Sequence, residues 1–166
     1  MATILVTGVT GTVMNPVCAR LLEAGHTIVA LVRPLKQASP AQRLAKTLDV
    51  NEATRRNLFV LPGDITQPMA GVSPEDQRYW QGRIDKVLHG AASIKFGGAE
   101  DDQVFSTNVG GTENMLCLAK TLGVSEFHYI STAYVCGDAE YFSETDLGET
   151  QHHRNTYERS KAEAER

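Results

Sequence analysis

Residues 3–16 read TILVTGVTGTVMNP. A short apolar run ends in a glycine-rich turn, and the turn opens a helix. This constrains the fold more than any other stretch. Gly8 permits a tight turn after a first strand. Gly11 lets the backbone come close to a pyrophosphate, whose charge then sits on the helix N-terminus. A purely structural strand–helix turn could carry the same glycine pair. The placement, directly after a buried strand and ahead of an amphipathic helix, favours the binding reading. Met14 stands where a third glycine, used for close helix–strand packing, is expected. Methionine there either pushes the helix outward or sends its flexible side chain into a gap. On this reading, Met14→Gly is expected to tighten cofactor binding or raise thermal stability. Pro16 fits, because a first-turn proline loses no intrahelical hydrogen bond.

The rest of the chain alternates between strand and helix signals. Val13, Val17, Leu21 and Ala24 are spaced for the inner face of the first helix, with Gly25 as its stop signal. TIVALVR is apolar at nearly every position, which suits a strand covered on both faces. SPAQRLAKTL predicts a helix and NLFVLPGD a third strand. Ser73, Pro74 and Asp76 open a further helix in SPEDQRYWQ, and DKVLHGAA is a fourth strand. In NVGGTENMLCLAKTLG, Val109, Thr112, Leu116, Ala119 and Leu122 share one helix face. EFHYIST is a fifth strand, and NTYERSKAEAER is strongly helix-forming. The polar stretch from Glu140 to Asn155 reads as a loop over the sheet's carboxyl edge. The order predicts an α/β fold, a doubly wound parallel sheet of Rossmann type with helices on both faces. At 166 residues, the chain 1–166 is read as one nucleotide-binding domain.

Composition removes several function classes. The net charge is −4 and no basic block occurs, which argues against nucleic acid as a partner. No apolar run approaches the ~20 residues of a membrane span. A strand beginning at Thr3 leaves no room for a signal peptide. Cys18, Cys117 and Cys136 are odd in number and lack CxxC spacing. They read as buried, reduced thiols in a cytoplasmic protein, and no metal site is expected.

Two further sets of residues carry chemistry. The second strand ends in Arg33, with Lys36 and Arg43 close behind. An acidic residue at this strand end would favour a free ribose 2′-hydroxyl, whereas a guanidinium suits a 2′-phosphate. The preference is NADP over NAD, against the plain alternative of a solvated surface arginine. Tyr157 and Lys161 lie four apart on one helix face. An ammonium beside a phenol favours the phenolate and brings the tyrosine toward usable acid–base chemistry near neutrality. Tyr-x-x-x-Lys alone is also an ordinary solvated helix face. Ser131 and Thr132 end the fifth strand, where a hydroxyl could meet a substrate carbonyl or simply cap the strand.

Together, TGVTG, GDI, HGAA, NVGGT, STAYVCG and YERSK resemble the extended short-chain dehydrogenase/reductases, in order and spacing, over essentially the whole chain. LVRP with AQRL, LPGDITQP, FHYISTAYVCG and YERSKAEAE resemble its thioester reductase and fatty acyl-CoA reductase group. The resemblance implies that Gly8, Thr10, Gly11, Thr12 and Val13 line the pyrophosphate. Arg33, with Arg43, would hold the 2′-phosphate of NADP (NADPH). Asp64 and Ile65 would flank the adenine, and Ala91 and Ala92 would pass near the cofactor ribose. Tyr157 would be the catalytic acid. Lys161 would bind the nicotinamide ribose and tune Tyr157, Thr132 would orient the carbonyl, and Asn108 would support the site through backbone and water contacts. The implied reaction is hydride transfer to a carbonyl of a small-molecule or carrier-bound acyl substrate, such as a thioester. Members of this branch continue well past the position of Arg166, so the substrate-binding part is expected outside this chain. A non-catalytic NADP-binding module stays open, as does another enzyme of the branch: a sugar-nucleotide epimerase or dehydratase, or a hydroxysteroid-type dehydrogenase.

Overall fold

The computed structural model describes residues 1–94, 101–144 and 152–166. Five strands, β1 (Thr3–Thr7), β2 (Thr27–Val32), β3 (Leu58–Pro62), β4 (Lys86–His89) and β5 (Glu126–Tyr129), form one sheet in the order β3-β2-β1-β4-β5. Every pairing is parallel. The chain builds outward from β1 to β3, then crosses back to lay β4 on the other side of β1. The carboxyl ends of β1 and β4 therefore flank the switch point, where this architecture opens a crevice. Thr7, the last residue of β1, is in register with both Leu31 and His89.

Apolar side chains leave both faces of the sheet, as expected of parallel strands. On one face Leu5, Val29 and Val87 pack with Trp80, Met115, Leu118 and Leu122. Those partners come from α4 (Pro74–Trp80) and α6 (Gly111–Leu122). On the other face Ile4, Val6 and Ile28 pack with Met14, Cys18 and Leu22 of α1 (Met14–Glu23) and Leu44 of α2 (Pro40–Thr47). Ser39 caps α2 in a reciprocal capping box with Gln42, and Ser73 caps α4. A four-residue helix, α3 (Glu52–Arg55), precedes β3. The final helix, α7 (Thr156–Glu165), is capped by Asn155, which accepts from the Glu158 amide at 2.9 Å.

Three expectations need correction. The inner face of α1 is Met14, Cys18 and Leu22, one residue along from the expected stripe, and Val13 is 63% exposed. On α6, Leu116 points outward, and Met115 and Leu118 take its place in the core. Of the cysteines only Cys18 is buried; Cys117 is exposed and Cys136 half-buried. Burial pushes the Cys18 thiol up to about 12, which keeps it inert. The expected loop at 140–155 lies partly outside the described residues, since 145–151 are not among them.

Ahead of α6 the helix is irregular. A short segment, α5 (Asp101–Phe105), passes into a π-helical turn at Ser106–Gly110. The wider turn adds a residue and sends Asn108 inward, where it is 2% exposed.

Candidate active site and cofactor cleft

A cavity of about 400 Å³ opens at the β1/β4 switch point, within the range of small-molecule and cofactor sites. Its floor is the first turn, Thr7 to Gly11, and the residues after β4, Gly90 to Ser93. One wall is Gly63 to Thr66 after β3, and Arg33 and Arg43 stand at the mouth. Gln103 and Thr107, ahead of α6, complete it.

The first turn is built for close approach. Gly8 has φ +79°, a conformation that favours glycine. A Cβ there would sit 2.7 Å from the Gly90 carbonyl carbon, so the turn and the end of β4 touch backbone to backbone. α1 then starts without a side-chain cap and without an acidic residue in its first turn. Its dipole favours an anion there, although the Asn15 amide already donates to the Gly11 carbonyl at 3.1 Å and Pro16 has no N–H to offer. The uncapped helix start, the glycine backbone and the two guanidinium groups fit a dinucleotide phosphate chain.

Nine of the expected cofactor contacts line this cleft: Gly8, Thr10, Gly11, Arg33, Arg43, Asp64, Ile65, Ala91 and Ala92. Thr12 and Val13 are exposed and do not line it. Arg43 reaches from α2 to donate through Nη1 to the Arg33 carbonyl at 2.6 Å. That contact holds its guanidinium at the mouth while the Arg33 side chain stays exposed. Asp64 is turned inward on its own loop, where Oδ1 accepts from the amide (3.0 Å) and hydroxyl (2.9 Å) of Thr66. The Ile65 carbonyl is held by the Asn114 amide nitrogen at 2.8 Å.

The expected catalytic residues sit beside the cleft rather than in its lining. Asn108 makes the connection. Its Oδ1 accepts from the Ser93 amide at 2.7 Å. Its Nδ2 donates to the Ser93 carbonyl at 3.0 Å and to Ser160 Oγ on α7 at 2.9 Å. Both edges of the amide are thus committed to backbone and helix. Lys161 is 2% exposed. Its ammonium donates to the Ile130 carbonyl at 2.6 Å and stands 3.9 Å from the centroid of the Tyr129 ring, a cation–π arrangement. Burial pulls it down to about 8, opposed by the Glu165 carboxylate. Tyr157, one turn earlier, is half-buried. Thr132 Oγ1 accepts from the Tyr134 amide at 3.3 Å and so caps the turn that follows β5. The neighbouring hydroxyl, Ser131 Oγ, is buried with no hydrogen-bond partner among the described residues.

The sequence reading missed a second layer. Thr7 and His89 lie in the stretches TGVTG and HGAA, where no local pattern marks either as functional. His89 is 1% exposed and bonds Thr7 Oγ1 at 2.7 Å. Its ring stacks on Tyr129 with centroids 5.8 Å apart. Burial, and then the Lys161 charge, push it down to about 4, so it is neutral at physiological pH.

This fold and cleft define a nucleotide-binding domain of the extended short-chain dehydrogenase/reductase type. The model of the family described as "Male sterility protein" matches residues 6–166, and the chain belongs to that family. Rat fatty acyl-CoA reductase 1 is 26% identical over 154 residues, covering 85% of this chain and 30% of that protein. The chain thus spans less than a third of that relative. Among solved structures, the terminal R domain from the myxalamid PKS-NRPS biosynthetic pathway superposes with a TM-score of 0.84 at 29% identity. It covers 99% of this chain and 44% of that one. UDP-glucose-4-epimerase from Stenotrophomonas maltophila, solved with bound NAD and formylated UDP-arabinopyranose, superposes at 0.76 and 26% identity, over 99% and 47% of the two chains. Among the described residues no helix is long and apolar enough to cross a membrane, and no cluster of potential metal ligands occurs.

Proposed function

We propose that this chain is the nucleotide-binding and proton-donating part of an NADPH-dependent reductase acting on the carbonyl of an acyl thioester. The observation that carries the cofactor choice is the pair of guanidinium groups at the cleft mouth, with Arg43 anchored on the Arg33 backbone. Bound NADPH would supply the hydride. Arg33 and Arg43 hold the 2′-phosphate by charge-assisted hydrogen bonds, and Gly8 to Gly11 with the α1 N-terminus hold the pyrophosphate. Tyr157 gives its phenolic proton to the carbonyl oxygen as charge develops there. Lys161, four residues on, supplies the positive charge that makes this transfer feasible near neutral pH. Thr132 orients the carbonyl, and Asn108 fixes α7 against the cleft through Ser93 and Ser160.

The thioester is favoured over a nucleotide sugar by the matched relative, a fatty acyl-CoA reductase. An epimerase-like reading has support in the superposition on UDP-glucose-4-epimerase. It predicts turnover of nucleotide sugars and a preference for NAD. Calorimetric titration with NADPH and with NADH separates the two. Micromolar NADPH binding with much weaker NADH binding supports the reductase. The reverse preference supports the epimerase-like reading. Binding of neither overturns the cofactor assignment for this chain. In a longer protein containing this domain, NADPH oxidation with an acyl thioester that survives Tyr157→Phe unchanged would overturn the assignment of the acid.

A further inference from the structure

His89 lies in a hydrogen-bond network that joins the floor of the cofactor cleft to the helix bearing Tyr157 and Lys161, beside the direct link from Ser93 through Asn108 to Ser160. The Thr7 hydroxyl oxygen accepts from the Gly90 amide at 3.1 Å and from the Ala91 amide at 3.0 Å. A hydroxyl has two acceptor lone pairs and one hydrogen. Both lone pairs are used, so the contact to His89 Nδ1 at 2.7 Å must be a donation from Thr7. Nδ1 is therefore the bare nitrogen and Nε2 carries the proton. Nε2 faces Thr112 Oγ1 at 3.3 Å, and Thr112 in turn donates to the Asn108 carbonyl at 2.7 Å. The Asn108 side chain donates to Ser160 Oγ, which donates to the Tyr157 carbonyl at 2.8 Å. The relay runs from the cleft floor to the backbone of Tyr157 in one consistent direction.

We propose that His89 is a positioning residue: as the neutral Nε2–H tautomer it fixes the Gly90–Ala91 floor of the cleft and, through Thr112, Asn108 and Ser160, sets the helix carrying Tyr157 and Lys161 relative to that floor. A proton on Nδ1 has no acceptor to meet, because Thr7 could take it only by releasing one of the two floor amides. The titratable groups packed around the ring are Lys161 from α7 and Tyr129 from β5. The Lys161 charge opposes a second cation, and the Tyr129 ring lies between the two.

Two measurements test this, and they fail separately. Nitrogen-15 correlation NMR of the imidazole needs neither cofactor nor variant. The expected pattern is a protonated Nε2 and a bare Nδ1, unchanged down to about pH 5. A protonated Nδ1, or titration near the ordinary imidazole value, overturns the proposal. The second compares Thr7→Val, which is close in shape but lacks the hydroxyl, with Thr7→Ser, which keeps it. Thr7→Val is expected to shift the Gly90 and Ala91 amide resonances and weaken NADPH binding about tenfold, with Thr7→Ser restoring both. Unmoved amide resonances in Thr7→Val overturn the proposal. This binding arm rests on the NADPH reading. Wild-type protein that binds no dinucleotide would sink that reading, while the tautomer and the amide shifts would still decide the role of His89.

Discussion

Met14 fills the space that Gly90 leaves. A Cβ built on Gly90 would lie 2.4 Å from Met14 Cγ and 2.5 Å from Sδ. The side chain that replaces the third glycine therefore points into a gap rather than pushing α1 outward, and it is 2% exposed. This reverses the expectation that Met14→Gly would tighten binding or raise stability. Removing a buried methionine costs about 2–5 kcal/mol. Gly90→Ala overpacks the same spot by about 1–3 kcal/mol. The pair should not add: in Met14→Ala/Gly90→Ala the new methyl enters the vacated space. Denaturant unfolding of the two single variants and the double is expected to show at least about 0.5–1 kcal/mol of favourable coupling. Strict additivity would mean that the two positions do not share this space.

Asn108 offers a sharper loss. Its amide is buried and makes three hydrogen bonds, two of them to Ser93. Asn108→Ala leaves the Ser93 amide and carbonyl unpaired under the π turn. Ser93 is half-buried, so each orphan costs at most the roughly 1–3 kcal/mol of a fully buried one. Asn108→Asp keeps the acceptor for the Ser93 amide but turns an oxygen toward the Ser93 carbonyl. Both variants are expected to lower Tm by several degrees and loosen α7. Amide exchange at Tyr157 to Lys161 that stayed at the wild-type rate would show that α7 is held independently of Asn108.

The succession of strands and helices along the chain and the glycine turn were legible because their signals are local. Buried parallel strands are apolar throughout, and Gly8 and Gly11 follow the first one directly. The helix faces were less so. In α1 the residues at 13, 17 and 21 and those at 14, 18 and 22 form two adjacent apolar stripes. Periodicity alone cannot choose between them; Gly90, far along the chain, does. The anchoring of Arg43 on Arg33 and the bond between Thr7 and His89 are likewise tertiary facts. Thr7 and His89 stand 82 residues apart in sequence, and no spacing rule connects them. Nor does any local rule give Met69 and Ala70 their positive φ of 54° and 53°. That turn is fixed by Ala70, whose carbonyl accepts from the Asp64 amide at 2.7 Å.

Acid should destabilise the fold through His89. The folded value is about 4 and the ordinary value 6.5. Between them the unfolded chain binds more protons than the folded one, so stability falls as pH drops through that window. The full difference is about 3 kcal/mol. His89→Asn, which does not titrate, should flatten this part of the profile. Chemical denaturation at about pH 7 and about pH 4.5 measures it. Equal losses in wild type and variant would assign the acid sensitivity to other groups. Lys161 acts at the other end. Its folded value of about 8 lies below its ordinary 10.5, so the cost of burying its charge is relieved as pH rises from about 8 toward 10.5.

Arg33 and Arg43 should divide the recognition of the 2′-phosphate. Arg43 is half-buried, and its Nη1 is held by the Arg33 carbonyl. Its guanidinium therefore loses less conformational freedom on binding a phosphate than the exposed Arg33 side chain. A charge-assisted hydrogen bond contributes about 1.5–3 kcal/mol. Arg43→Ala is expected to weaken NADPH binding about 10- to 100-fold and NADH binding by less than about twofold. Arg43→Lys keeps the charge but cannot reach both the Arg33 carbonyl and a phosphate with a planar fork, so it should recover only part of the loss. Arg33→Ala should cost less than Arg43→Ala. Titration of each variant with both cofactors checks the order. If Arg43→Ala weakens NADPH and NADH binding equally, the residue supports the α2 end of the cleft and does not read the phosphate. If Arg33→Ala costs more, then the exposed side chain is the principal contact, and the backbone anchor of Arg43 is structural alone.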